Sequence, residues 1–161
     1  MTGLKAGSAA QFKNYQFHKS LDLALFGLTT ARLVWRLFMR PPALPETMPR
    51  WERKAAGLSH IALYGMLLLI PLVGLLVVSA SPWNIPTFLY GTIPVPHAPG
   101  LANLADRTYW ETALKVSHRA LGWILLALLA VHIGAVLRHH FIRRDGILQR
   151  MLPFGLGATD D

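Results

Sequence analysis

Three stretches of this chain, Ser20 to Phe38, Ala55 to Ala80 and Ala113 to Leu137, are dominated by apolar side chains. Each can cross a hydrocarbon core of about 30 Å at about 1.5 Å per helical residue. That pattern leaves little choice of fold. In lipid every backbone amide must be satisfied within the protein, and a helix does so inside one segment. The expected fold class is all-α, a transmembrane helical bundle with three spans, forming a single membrane domain over residues 1–161. Composition agrees, since 53% of the residues are hydrophobic and the mean hydropathy is +0.37. The first stretch is the least apolar, with Asp22, Arg32 and Arg36. Both arginines fall in its last two turns, where long side chains reach the interface.

The net charge of +8 does not point to nucleic acid, because the basic residues gather at the ends of the apolar stretches, where they anchor and orient helices. The connection 39–54 carries Arg40, Arg50, Arg53 and Lys54, and the tail 138–161 carries Arg138, Arg143, Arg144 and Arg150. Both are predicted to face the cytoplasm. The connection 81–112 holds Arg107 as its only basic residue, together with Pro82, Pro86, Pro94, Pro96 and Pro99. It is predicted to lie on the outer side, without regular structure over much of its length. Trp83, Tyr90, Tyr109 and Trp110 near its ends fit an interfacial aromatic belt. The first seventeen residues then fall outside too, which requires Lys5 and Lys13 to be translocated. Met1 to Asn14 contains no apolar run of the signal-peptide kind, so the N-terminus is expected to be retained.

With no cysteine in the chain, disulfides, a CxxCH-attached haem and a cysteine-ligated iron–sulfur cluster are all excluded. The histidines carry more information. Of the seven, His118 and His132 lie fourteen residues apart on the third span. That is close to four turns, so they share one face about 21 Å apart along the axis. An ionisable side chain inside a span is costly and marks function by default. Two imidazoles at this spacing can each grip one of two stacked flat macrocycles. Each iron then needs a trans nitrogen from another helix.

His18, at the outer end of the first span, matches His118 in depth. Gly122, four residues after His118, removes a side chain on the same face, where the ring of a haem would lie. His60, at the inner end of the second span, is the internal candidate opposite His132, with a capping or interfacial role as its alternative. His97 reads as a solvated loop residue. His139 lies seven residues beyond His132 and could meet a quinone headgroup or a haem propionate. Otherwise His139 and His140 read as interfacial. Pro71 and Gly74 are tolerable inside a bundled second span, and Gly65 and Gly74 allow close helix packing.

These residues resemble the bacterial cytochrome b561 group of di-haem membrane proteins, one branch of which is superoxide oxidase. HKSLDLALFGLTTARLVWRL from His18 is similar to the family's second helix and LSHIALYGMLLLIPLVGLL from Leu58 to its third. SHRALGWILLALLAVHIGAVLRHHF from Ser117 is similar to its fourth, followed by the loop RRDGILQRMLP from Arg143. The resemblance implies that His18 and His118 ligate an outer haem b through iron and that His132 supplies one ligand of an inner haem. It also implies a bundle of four helices, whose first carries the histidine opposite His132. That segment has no counterpart in these 161 residues. One haem is therefore expected, and a second only if His60, another subunit such as a homodimer partner, or a swapped helix supplies the nitrogen. A further departure is Asp22, where the family pattern has a small residue, usually glycine. A carboxylate on that side has to be protonated or paired.

Bis-histidine ligation leaves no open iron position, which favours simple electron transfer. The resemblance implies an oxidoreductase of the bacterial inner membrane and respiratory chain, taking electrons from superoxide and delivering them to ubiquinone. Lys13, Lys19, Arg107, Lys115 and Arg119 are placed to make the outer entrance positive and attract an anion. Two readings stand beside it. One is an anchor relaying electrons from a partner dehydrogenase or hydrogenase subunit to quinone. The other is a non-redox scaffold that has lost part of its haem set.

Overall fold

The computed structural model describes residues 8–39 and 48–145. Helix α1 spans Ala9–Phe38, α2 Arg50–Ala80 and α3 Arg107–Arg138, which runs on into a π-helical turn at His139–Arg143. Capping sets the starts. The Ser8 hydroxyl accepts from the Gln11 amide at 3.2 Å, and the Asp106 carboxylate accepts from the Tyr109 amide at 2.9 Å, each satisfying an otherwise orphaned first-turn donor. Pro49 precedes α2, and Ser81, forced toward extended backbone by Pro82, ends it. Arg144, with φ 52°, ends the π turn.

α2 is the central element and packs against both α1 and α3. The chain runs antiparallel at both contacts. Tyr64 meets Arg32 while Gly74, further on, meets Asp22, further back. Likewise Ser59 meets His132 and Gly74 meets His118. α2 and the continuous helix Arg107–Arg143 are long and apolar enough to cross a membrane. Of their most apolar stretches only 11% and 0% of residues are buried, which is the reverse of a water-soluble core and leaves Ile61, Trp123 and Val131 facing outward. α1 has 30 residues, enough length, but its charged positions leave it less apolar. At its lower end Arg32 donates to the Tyr64 hydroxyl at 3.0 Å, and the Arg36 guanidinium lies 5.9 Å from the Tyr64 ring centre. Arg32 is thus tied to a neighbouring helix.

The connection 81–112 differs from the expectation of a largely irregular loop. Strand β1 (Thr87–Leu89) pairs antiparallel with β2 (Ile93–Val95). The turn between them places Tyr90 at φ 49° and Gly91 at φ 76°, with the Thr92 amide donating to the Leu89 carbonyl at 3.1 Å. Two successive left-handed residues match the twist of a tight hairpin. A 3₁₀ turn, Leu101–Asn103, follows. The hairpin is held by polar groups of α1. Gln16 Nε2 donates to the Pro86 carbonyl at 2.9 Å, and Lys19 Nζ donates to Thr87 Oγ1 at 3.2 Å. The buried Ser20 hydroxyl accepts from the Tyr90 amide at 2.9 Å. Prolines do not prevent this, because the ladder is short and its other donors are met from the helix.

Arg107 closes the far side. Its guanidinium donates to the carbonyls of Ala80, Ser79 and Ser81 and to Asn84 Oδ1. At the opposite end of the bundle, buried Glu52 of α2 accepts from Arg138 at 3.1 Å and from Arg143 at 3.0 Å. Arg40, Lys5, Arg150 and most of the tail 138–161 lie outside the described residues.

Candidate functional site

Toward the hairpin end of the bundle, His18 of α1 and His118 of α3 face one another across Gly74 of α2. Their ring centres are 6.0 Å apart and their planes cross at 82°. A Cβ at residue 74 would fall 3.2 Å from His118 Cε1 and 3.5 Å from Asp22 Oδ2. Only glycine leaves the His118 ring where it stands. Around the pair is a cavity of about 330 Å³, lined mainly by apolar groups such as Leu23, Leu75 and Val78. Lys19, Lys115 and Arg119 stand on its wall. Lys115 is paired with Glu111 at 2.9 Å. Lys13 and Arg107 are not on that wall, and Arg107 is committed to the loop carbonyls described above.

Asp22, one turn after His18, points its carboxylate into the same space, with Oδ2 3.3 Å from His18 Nε2. The carboxylate is thus paired. Donor atoms of His18, Asp22 and His118 all lie within 4.8 Å of one another. His118 Nδ1 is buried without a hydrogen-bond partner among the described residues. Gly122 sits one turn from His118 with nothing within 4 Å of where its Cβ would be. The glycine against the imidazole is Gly74, which sequence reasoning assigned only to helix packing.

Further in, His60 of α2 and His132 of α3 approach to 5.3 Å between ring centres, at 62°. Ser59 Oγ lies 3.4 Å from His132 Nδ1. A second cavity of about 310 Å³ opens beside His60, between α1 and α2, with Leu28, Arg32, Leu63 and Tyr64 on its wall. His139 is buried in the π turn that follows α3. Its Nδ1 lies 2.5 Å from Asp145 Oδ2 and its Nε2 3.7 Å from Glu52 Oε2. His140 contacts Phe141. His97 departs from the expected solvated loop residue. Its Nε2 is buried without a partner among the described residues, and burial, then Lys19 and Arg107, holds its imidazole pKa below the usual histidine range.

A model of the family described as prokaryotic cytochrome b561 matches residues 1–154. The chain belongs to the prokaryotic cytochrome b561 family. It is 34% identical over 146 residues to cytochrome b561 homolog 2 of Escherichia coli K12, covering 90% of this chain and 72% of the relative. Identity to cytochrome b561 homolog 1 of the same organism is 30% over 149 residues, 91% of this chain and 79% of the relative. A probable superoxide oxidase CybB of Yersinia pestis is 28% identical over 143 residues, 84% of this chain and 73% of the relative. Membership in the b561 family makes this an all-α membrane protein and brings haem b and electron transfer with it.

The outer residues fit such a group. Metal–imidazole bonds of about 2 Å place two opposed ring centres roughly 6 Å apart, the separation of His18 and His118. The glycine floor fits as well. Asp22 alone stands in the slot and would have to turn aside. The inner pair, at 5.3 Å, is tighter than this spacing.

Proposed function

We propose that this b561 protein carries single electrons through the bacterial inner membrane on haem b held between His18 and His118, with all three helices crossing the bilayer. The observation that supports this is the facing pair of imidazoles across the Gly74 floor, at the spacing two axial ligands need. When bound, haem supplies one-electron storage with no open iron position. His18 and His118 would hold the group, and Leu23, Leu75 and Val78 on the cavity wall would keep water from it. His132 with His60 is the place for a second haem, provided the pair opens slightly. Segments 39–54 and 138–161 lie on the cytoplasmic side and 81–112 on the periplasmic side.

For the donor we propose superoxide, and for the acceptor ubiquinone. Two superoxide ions each lose one electron and leave as oxygen; ubiquinone gains two electrons and two protons. Lys19 and Arg119 on the cavity wall provide a field that draws a small anion inward. Lys115 contributes less, because Glu111 offsets it. The buried His139 beside Asp145 is suited to hold a proton near a quinone at the inner end. A relative described as a probable superoxide oxidase supports this donor. The test is rapid mixing of purified protein with superoxide and a soluble ubiquinone analogue. Superoxide loss faster than in buffer, with one quinol formed per two superoxide ions, is expected. Decay at the buffer rate contradicts the donor and favours a relay from a partner dehydrogenase or hydrogenase subunit, detectable by co-purification.

A further inference from the structure

We propose that His18, Asp22 and His118 form a binding site for a divalent transition-metal ion, filled in the haem-free protein. An His–Asp pair four residues apart on one helix is by itself an ordinary surface ion pair. Two observations make this one a site. The third donor, His118, comes from a different helix, and all three donor atoms fall within 4.8 Å of one another. His118 also buries Nδ1 without any hydrogen-bond partner among the described residues, so its ring faces the cluster with bonding capacity unspent.

The spacing suits a metal. With bonds of about 2.0–2.1 Å, neighbouring ligand atoms of a tetrahedral site lie roughly 3.3–3.4 Å apart. His18 Nε2 and Asp22 Oδ2 are 3.3 Å apart, one such edge already formed, and the His118 donor lies within 4.8 Å of both. Two imidazoles and one carboxylate suit Zn²⁺, Co²⁺, Ni²⁺ or Cu²⁺ rather than Mg²⁺ or Ca²⁺, which want all-oxygen sets. The cavity leaves the fourth position for water. Gly74 matters here too, because a Cβ would press on both His118 and Asp22. Haem and the ion share two imidazoles and exclude each other. Asp22 is the residue that distinguishes them, since haem needs it turned aside and the ion needs it in place.

The experiment uses the full chain, purified in detergent from haem-deficient cells and titrated with Co²⁺. Expected are the intense visible d–d bands of four-coordinate Co²⁺, saturating at one ion per chain and displaced by Zn²⁺. Asp22→Gly is expected to weaken Co²⁺ binding by more than about tenfold. Circular dichroism and gel filtration in detergent test whether Asp22→Gly is folded, and the helix signal and elution volume of the unaltered protein are expected. The proposal is overturned if those bands are missing in the unaltered protein, or if folded Asp22→Gly binds Co²⁺ as tightly. Should Asp22→Gly be unfolded by those measures, Asp22→Asn, nearly isosteric, replaces it under the same criterion. The haem reading fails separately, by lack of uptake in the unaltered protein, and leaves the Co²⁺ result standing.

Discussion

Gly74 of α2 lies so close to His118 of α3 that an added Cβ would fall 3.2 Å from the imidazole Cε1. Three helices converge at this point, because Asp22 of α1 is 3.5 Å from the same position. Gly74→Ala gains about 1 kcal/mol of helix propensity and loses about 1–3 kcal/mol to overpacking. Thermal stability should therefore fall by up to about 2 kcal/mol while haem content falls. Gly74→Leu should lose haem altogether. Haem-to-protein ratios and melting curves of both variants check this.

Ser20 links α1 to the β1–β2 hairpin. Its hydroxyl accepts from the Tyr90 amide at 2.9 Å and lies 3.2 Å from the Phe88 carbonyl and 2.9 Å from the Gln16 carbonyl, to which it can donate. Ser20→Ala takes the acceptor from the Tyr90 amide, costing about 0.5–1.5 kcal/mol for a part-buried hydrogen bond. The expected outcome is local. Amide hydrogen exchange in 86–95 should accelerate by roughly two- to tenfold, with α2 and α3 unchanged.

Glu52 holds the start of α2 and the end of α3 together through Arg138 and Arg143. The carboxylate is buried while both arginines are partly exposed, so on Glu52→Ala the guanidiniums can recover water. The expected destabilisation is about 1–3 kcal/mol, below the value for a fully buried pair. Glu52→Gln should lose less. Thermal unfolding in detergent measures both.

His97 gives the outer loop a pH dependence with a definite sign. Burial, Lys19 and Arg107 depress its folded-state pKa, so the unfolded chain takes up the proton first as pH falls. The loop is then most stable above the unfolded value of about 6.5, and that stability is lost as pH drops from there toward the lower folded pKa. Melting temperatures from pH 8 to pH 5 should fall more steeply in the unaltered protein than in His97→Gln. Equal slopes would contradict this assignment.

The helices were legible because lipid imposes a simple rule, long apolar runs with charge at their ends, and α2 and α3 obey it. α1 was legible by length more than by apolarity. Matching His18 to His118 needed only helical rise and depth. Gly74, Ser20 and Glu52 escaped because their roles exist only across helices. A glycine at 74 looks like any packing glycine until His118, from a distant part of the sequence, is set against it. The hairpin was hidden by its prolines, since its support comes from Gln16 and Ser20 rather than from its own strands. The two carboxylate neighbours of His139 were hidden, because Asp145 comes from beyond the π turn and Glu52 from another helix.

The central claim is that His18 and His118 together hold haem b, and reduced-minus-oxidised spectra with haem-to-protein ratios measure it most directly. The unaltered protein should show the low-spin α band of bis-histidine haem b, and His18→Ala and His118→Ala should each lose the same haem. Either variant retaining the full spectrum and ratio, or an unaltered protein with no haem b signal, would contradict it.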